Sequence, residues 1–168
     1  KRYRYFKYQE MGDFVFMQES YEINKRTLLL IPESEKITHI YEEEDEFIVP
    51  QTTFEIIDNS CKFFGSSYDG RFKGTKALVG YSYKSPIIIE DSNRIIFFPT
   101  TSPRLWDCSW IAFNNIKNYI KGDKTCELIL KNNRRVTINM SYNSLENQIL
   151  RASKLWCAIE KNSRIINN

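Results

Sequence analysis

The sequence contains few of the side chains that most enzymes need. It has a single histidine, His39, and it lacks the GxSxG and HExxH patterns of serine hydrolases and zinc proteases. Catalysis requires a proton carrier or a nucleophile in a defined setting, and one isolated histidine does not provide that setting. We therefore expect a binding protein and not an enzyme.

Long apolar runs and metal-binding cysteine pairs are missing as well. No apolar run approaches the roughly 18 residues of a membrane span, and no signal-peptide pattern is present, which favours a cytoplasmic protein. The four cysteines, Cys61, Cys108, Cys126 and Cys157, form no CxxC pair. Structural zinc sites bring two ligands close together in sequence, so we predict reduced thiols, no metal and no cofactor.

The charge that the sequence does carry is unevenly distributed. Residues 1–60 hold 7 Lys and Arg against 13 Asp and Glu, whereas residues 61–168 hold 17 against 8. The acidic part includes five consecutive carboxylates at 42–46, most simply a solvated loop; the alternative is a shield for a basic surface or a contact for a basic partner. The basic part predicts a nucleic acid or another acidic partner, although surface cations also serve solubility.

A glycine-rich stretch, CKFFGSSYDGRFKGT at residues 61–75, opens the basic part. Its glycines allow sharp turns that present backbone N–H groups beside cations, so we predict a surface loop that binds phosphates. The alternative is a plain turn between two strands. The GxxxxG spacing from Gly65 to Gly70 is followed by Arg71 and Phe72 instead of Lys and Ser or Thr, which argues against a nucleotide-binding P-loop.

Short strand-like runs separated by turn residues dominate the rest of the chain. They leave no room for crossover helices and therefore predict an antiparallel sheet. The predicted strands lie at 13–18, 21–31, 36–41, 47–49, 54–57, 76–83, 86–89, 95–98, 108–113, 126–130 and 135–140. The second of these is predicted as a hairpin that turns at Asn24 and stops at Pro32. A short helix is predicted at 58–63, ended by Gly65.

One helix, at residues 143–160, shows a complete amphipathic pattern. Asn143 is the expected N-cap, with Glu146 three residues further on as in a capping box. Its apolar stripe predicts packing on the sheet, with a dimer contact as the alternative, and consists of Leu145, Ile149, Ala152, Trp156 and Ile159. The expected fold class is α+β: mainly antiparallel β with short turns, a glycine-rich basic loop and one C-terminal helix.

Five ordered motifs resemble the competence transcription factor family, ComK. They are the glycine-rich stretch, PIII at 86–89, IIFFPT at 95–100, CSWI at 108–111 and SYNSLENQ at 141–148, preceded by SYEIN at 20–24. The resemblance implies a single DNA-binding domain over residues 21–168. Residues 1–20 would supply a first strand and an arm, KRYRYFKY at 1–8, which either enters a DNA groove or is a loosely ordered terminus.

The resemblance also implies a function. ComK-like proteins bind paired AT-rich boxes as oligomers, act largely through the minor groove, bend DNA and activate genes for DNA uptake. The implied partners are AT-rich double-stranded DNA, further copies of the chain and RNA polymerase, and the implied place of action is the bacterial cytoplasm and nucleoid. An adaptor and a Clp protease would be further partners, but the sequence ends at SRIINN without the tail to which the adaptor binds in relatives, so this partnership stays open.

Loops, a hairpin or an arm should contact the DNA, because no helix carries a helix-turn-helix signature. A narrow AT-rich minor groove attracts Arg and Lys, which makes Arg71 and Lys73 the first candidates. The complete set of candidate DNA-binding residues is Lys62, Ser66, Ser67, Tyr68, Arg71, Lys73, Lys76, Arg104, Arg134 and Arg135. The alternative function is that of a paralogue that does not bind DNA and acts as a protein-interaction module. The resemblance supplies no role for Trp106 or for the acidic block at 42–46.

Overall fold

The computed structural model of the chain describes residues 7–10 and 13–167. The start of the predicted arm, residues 1–6, lies outside the described residues. The strands are β1 (Lys7–Glu10), β2 (Asp13–Met17), β3 (Thr27–Ser34), β4 (Ile37–Glu42), β5 (Glu46–Val49), β6 (Ile87–Glu90), β7 (Ile95–Pro99), β8 (Trp110–Ala112), β9 (Ile116–Lys121), β10 (Cys126–Leu130) and β11 (Arg135–Ile138). The helices are α1 (Thr53–Phe63), α2 (Tyr68–Val79) and α3 (Tyr142–Ile166).

Eight of these strands form one sheet in the order β1-β2-β5-β4-β3-β8-β7-β6, and the remaining three form a smaller sheet in the order β11-β10-β9. All neighbouring strands are antiparallel except β2 and β5, which pair in parallel. The mainly antiparallel α+β class predicted from the sequence is therefore confirmed. No helix in the described ranges is both long and apolar enough to cross a membrane.

The large sheet separates two apolar cores. Successive side chains of a strand point to opposite faces, so Ile87 and Ile89 lie in the first core while Ile88 lies in the second. Helix α1 covers the first core, and the small sheet and α3 cover the second. Where both faces of the sheet are covered, a strand can be apolar along its whole length, as in β7, where every residue is buried.

Helix α1 begins earlier than the sequence pattern predicted, and the strand expected at 54–57 was wrong. A capping box starts the helix: the Glu55 backbone N donates to Thr52 Oγ1 at 3.0 Å, and the Thr52 N donates to Glu55 Oε2 at 2.7 Å. Within the helix, Ile57 and Cys61 stand one turn apart and are both buried in the first core. The two reciprocal hydrogen bonds satisfy N–H groups that a strand would have to pair elsewhere.

The glycine-rich stretch is mainly helical, which corrects the predicted loop. Helix α2 is capped by Ser67, whose Oγ accepts a hydrogen bond from the Gly70 N at 3.0 Å, and it ends at Gly80 with φ +78°. Only residues 64–67 form a connection between α1 and α2. The strand predicted at 76–83 was wrong for the same reason, because the helix continues to Val79.

Tertiary contacts account for this helix better than its own sequence does. Two internal glycines lower its helix propensity, and Thr75 is its only buried residue. The Thr75 Oγ1 donates to the Pro86 carbonyl at 2.9 Å and thereby attaches α2 beside β6. Packing and hydrogen bonding to the sheet thus outweigh a weak local preference.

Helix α3 is longer than the predicted 143–160 and is capped differently. Its N-cap is Ser141, whose Oγ accepts a hydrogen bond from the Ser144 N at 3.3 Å. Glu146 accepts a hydrogen bond from the Tyr119 hydroxyl at 3.4 Å, so it does not close the box predicted with Asn143. The predicted apolar stripe packs in the second core, with two members fully buried and three partly buried: Leu145, Ala152, Ile149, Trp156 and Ile159.

Two further differences concern strands. Residues 21–26 form no strand, and β3 continues through Pro32, next to which the pairing with β4 shifts in register. Such an irregularity tolerates a proline because a ladder hydrogen bond is interrupted there. Strand β9 was not predicted, since its sequence, IKNYIK, lacks a strict alternation of apolar and polar residues. The predicted hairpin of β10 and β11 is confirmed.

We expect two alanine substitutions in the glycine-rich stretch to have opposite effects. Gly74 lies inside α2 with open space where a Cβ would stand, so Gly74→Ala should raise the free energy of unfolding by about 0.5–1 kcal/mol. Gly65 has φ +82°, a left-handed conformation that strains an alanine, so Gly65→Ala should lower the free energy of unfolding by about 1 kcal/mol. Urea unfolding of both variants checks this, and a destabilising Gly74→Ala would contradict the helix.

Candidate nucleic-acid interface

Arg71, the first candidate from the sequence, lies mostly inside the protein. Its Nη1 donates to Asp91 Oδ2 at 2.9 Å, and only 16% of its side chain is exposed. Asp91 directly follows β6, so the ion pair connects α2 to the turn between β6 and β7. This position gives Arg71 a role in holding α2, and its predicted contact with DNA stays a prediction.

Tyr68 and Ser67 also have partners within the protein. The Tyr68 ring contacts those of Phe54, Phe72 and Trp110. Burial raises the pKa of Tyr68 to about 12. Ser67 caps α2, whereas the half-buried Ser66 lines the groove of about 310 Å³ between α2 and α3.

Three lysines of the candidate set are exposed. Lys62 and Lys73 form ion pairs within their own helices, with Asp58 at 2.6 Å and with Asp69 at 2.7 Å. Exposed pairs of this kind contribute little to stability, so a phosphate can replace the carboxylate at small cost. Lys76 is exposed and, within the described part of the chain, has no carboxylate at ion-pairing distance.

The two arginines at the β10–β11 hairpin are paired with carboxylates. Arg134 donates to Glu46, and its guanidinium lies 5.3 Å from the centre of the Tyr41 ring. Arg135 donates to Glu127 at 2.5 Å across the hairpin. Arg134 therefore holds the acidic block against the small sheet, and its candidacy as a DNA ligand is weaker than that of the exposed lysines.

The acidic block is not the solvated loop that the sequence pattern predicted. Glu42 is only 4% exposed and accepts hydrogen bonds from the Tyr21 hydroxyl and from Asn24 Nδ2, the latter at 2.8 Å. Burial, followed by the adjacent Glu42 charge, raises the pKa of Tyr21. At the other end of the block, Glu46 is hydrogen-bonded to His39 Nε2 at 2.6 Å. Internal donors thus engage both ends, and only the middle of the block faces water.

Two side chains of α3, Gln148 and Arg151, join two loops that sequence analysis did not connect. The Gln148 Nε2 donates to the Lys84 carbonyl at 3.0 Å and to the Pro99 carbonyl at 2.7 Å. Arg151 donates to the Tyr83 carbonyl at 2.6 Å and to Gln148 Oε1 at 3.0 Å. We call Gln148 and Arg151 the α3 clamp. It fixes the loop at 80–86 next to the loop at 100–109.

Other hydrogen bonds hold the base of the 100–109 loop. The Thr53 Oγ1 at the start of α1 donates to the Cys108 carbonyl at 2.7 Å, and the Thr100 N donates to the Ser109 carbonyl at 2.9 Å. Burial raises the pKa of Cys108 to about 11. Lys84 lies near the base of this loop, because Gln148 donates to both its carbonyl and the Pro99 carbonyl. The exposed Arg104 stands on the loop and, among the described residues, has no carboxylate partner at ion-pairing distance.

Four exposed or half-exposed cations lie on α2 and on the two clamped loops. We call them the basic surface: Lys73, Lys76, Lys84 and Arg104. Sequence reasoning found three of them and missed Lys84. The available signal was weak: in YSYK at 81–84, one lysine follows two tyrosines.

The buried position of Arg71 leads to a stability prediction. We expect Arg71→Ala to lower the free energy of unfolding by about 1–3 kcal/mol, since it removes the hydrogen bond to Asp91 and most of the side chain's packing. The control is Lys73→Ala on the exposed side of α2. This variant should change the free energy of unfolding by no more than about 0.5 kcal/mol. Chemical denaturation measures both, and equal effects would show that Arg71 does not hold the helix.

A second prediction concerns the α3 clamp. Gln148→Ala removes the donor to two carbonyls and should cost about 1–3 kcal/mol of stability. Amide hydrogen exchange should accelerate in both loops, because their shared attachment is lost. Asn147→Ala, at the exposed neighbouring position of α3, is the control. Unchanged exchange in the loops of the Gln148 variant would mean that the clamp does not order them.

Comparison with known proteins identifies the family of the chain. The competence transcription factor of Bacillus subtilis (strain 168) is 37% identical over 152 residues, an alignment that covers 88% of this chain and 78% of that protein. No solved structure matches the chain significantly. A family model described as "ComK protein" matches residues 18–164, which include all three helices up to Arg164, the α3 clamp and the basic surface. The chain therefore belongs to the ComK protein family.

Proposed function

We propose that this protein is a transcription regulator of competence that binds DNA and activates genes for DNA uptake. Membership of the ComK protein family, with a curated relative named as a competence transcription factor, is the observation that carries the proposal. The basic surface supports it, because Lys76, Lys84 and Arg104 have no carboxylate at ion-pairing distance among the described residues, and the exposed pair of Lys73 with Asp69 can give way to a phosphate. As such a regulator the protein acts in the bacterial cytoplasm, at the nucleoid, with RNA polymerase as a partner.

The basic surface offers two kinds of contact to a duplex. Lys73 and Lys76 lie on the outer side of α2, where they can contact phosphates along one strand. Arg104 and Lys84 stand on loops, and a loop can enter a narrow minor groove that a helix cannot. An AT-rich minor groove is narrow and strongly negative, so it favours such cations. We therefore propose paired AT-rich boxes, read largely in the minor groove, as the target.

Other candidates from the sequence take secondary places in this proposal. Arg71, Ser67 and Tyr68 position α2, and phosphate contacts from them would require these side chains to leave their present partners. Ser66 lines the groove between α2 and α3 and would contact phosphates from there. Paired boxes require two binding units, so we propose that residues 21–168 form one DNA-binding domain and that at least two copies of the chain bind together. Contacts from Lys62, Arg134 and Arg135 would then be limited to phosphates that flank the boxes.

Binding of the full chain to a duplex with two spaced AT-rich boxes, compared with a GC-rich duplex across a salt series, tests the proposal. We expect selective binding whose log Kd rises by about 0.9 per log unit of salt for each phosphate neutralised. Lys76→Ala and Arg104→Ala should each weaken binding and reduce this slope by about 1. Lys121→Ala, an exposed lysine on β9, is the control and should change neither.

The possible results separate the function from the site. Equal affinity for AT-rich and GC-rich DNA would contradict a regulator that reads AT-rich boxes and would favour a protein-interaction module. If Lys76→Ala and Arg104→Ala bind AT-rich DNA as selectively as the wild type, the proposed function stands. The interface then lies outside the basic surface. The variants Lys62→Ala and Arg135→Ala would then be measured in the same way.

A further inference from the structure

The tip of the 100–109 loop exposes two adjacent apolar side chains. Leu105 is 51% exposed and Trp106 is 52% exposed, and neither belongs to the two apolar cores. A single exposed apolar residue is ordinary, but a leucine and a tryptophan side by side at the tip of a loop are not needed for the fold. Their exposure indicates a surface that becomes covered in a complex.

The loop that carries them is held in one shape by its own hydrogen bonds. The Leu105 N donates to the Ser102 carbonyl at 3.0 Å, and the Cys108 N donates to the Leu105 carbonyl at 3.2 Å. The Cys108 Sγ lies 3.6 Å from the Thr101 carbonyl and donates to it. Together with the α3 clamp at Pro99, these bonds present Leu105 and Trp106 on a preformed base, which reduces the entropy lost when they bind.

The charges around the tip select the kind of partner. Arg104 directly precedes the two apolar residues, and the Gln148 bonds hold Lys84 near the base of the same loop. Asp107 is the one carboxylate of the loop, against the two cations Arg104 and Lys84. An apolar tip with cations beside it matches duplex DNA, whose stacked base faces are apolar and whose grooves are lined by phosphates.

We propose that Leu105 and Trp106 form a wedge that inserts between two neighbouring base pairs from the minor groove, while Arg104 and Lys84 contact the flanking phosphates. The proposal rests on the DNA-binding function and adds the residues that enter the stack. Apolar wedges of this kind partly unstack a base step and kink the duplex, and pyrimidine–purine steps such as TA yield most easily. The wedge would therefore favour AT-rich boxes that contain a TA step.

The test uses the full chain and duplexes with two AT-rich boxes in which 2-aminopurine replaces adenine at successive positions. We expect the wild-type protein to raise 2-aminopurine fluorescence at one step in each box, because unstacking relieves quenching. Trp106→Ala should abolish this rise and weaken binding by about 5- to 150-fold, the range for loss of one aromatic stacking contact. Trp106→Phe should keep most of both effects, and Leu105→Ala should reduce the rise.

Leu150→Ala, a leucine that is 53% exposed on α3, is the matched control and should change neither fluorescence nor affinity. Circular dichroism and melting temperature establish that each variant is folded.

Selective binding by the wild type without any fluorescence rise, with Trp106→Ala binding equally well, would overturn the wedge and leave the DNA-binding function intact. Loss of self-association by Trp106→Ala in sedimentation, with the fluorescence rise retained, would assign the pair to a protein interface instead. Failure of the wild type to select AT-rich DNA would overturn both proposals.

Discussion

Both faces of the eight-stranded sheet are apolar and have to be covered, and the rest of the fold depends on this constraint. Helix α1 packs over the first core, and the small sheet with α3 packs over the second. Burial of this much apolar surface is the main stabilising contribution to folding. It also restricts where a binding surface can lie, because α2 has a single buried residue and the 100–109 loop exposes its tip, whereas β7 is buried along its whole length.

Carboxylates and cations of this unevenly charged sequence lie in different environments in the folded protein. Glu42 and Glu46 lie largely inside the protein, where hydroxyl, amide, imidazole and guanidinium groups donate to them. Buried carboxylates with such partners add little to the external field of the molecule, since their charge is matched locally. Cations such as Lys76 and Arg104 remain exposed without carboxylates at ion-pairing distance among the described residues. A net charge of +3 therefore understates how basic one end of the surface is.

Elements with a clear apolar run or period were predictable, and those stabilised by distant contacts were not. The strands around Ile88 and Ile96 were found as short continuous apolar runs, and α3 was found from the period of its apolar stripe. Helix α2 contains two glycines and one buried residue, so its sequence pattern indicated a loop, whereas its stability comes from a hydrogen bond to Pro86 and from Arg71. The α3 clamp could not be found either, because Gln148 and Lys84 are 64 residues apart in sequence.

The proposed function separates residues that would position the surface from residues that would contact DNA. Base edges in a minor groove differ little, so discrimination there depends on the width of the groove and on cations held at the correct spacing. The α3 clamp joins both loops to a helix that is itself packed in the second core. The core burial that stabilises α3 therefore also orders the loops that carry Lys84 and Arg104. Under the proposed function, changes in the second core should alter DNA recognition without any contact to the duplex, because they move the clamp.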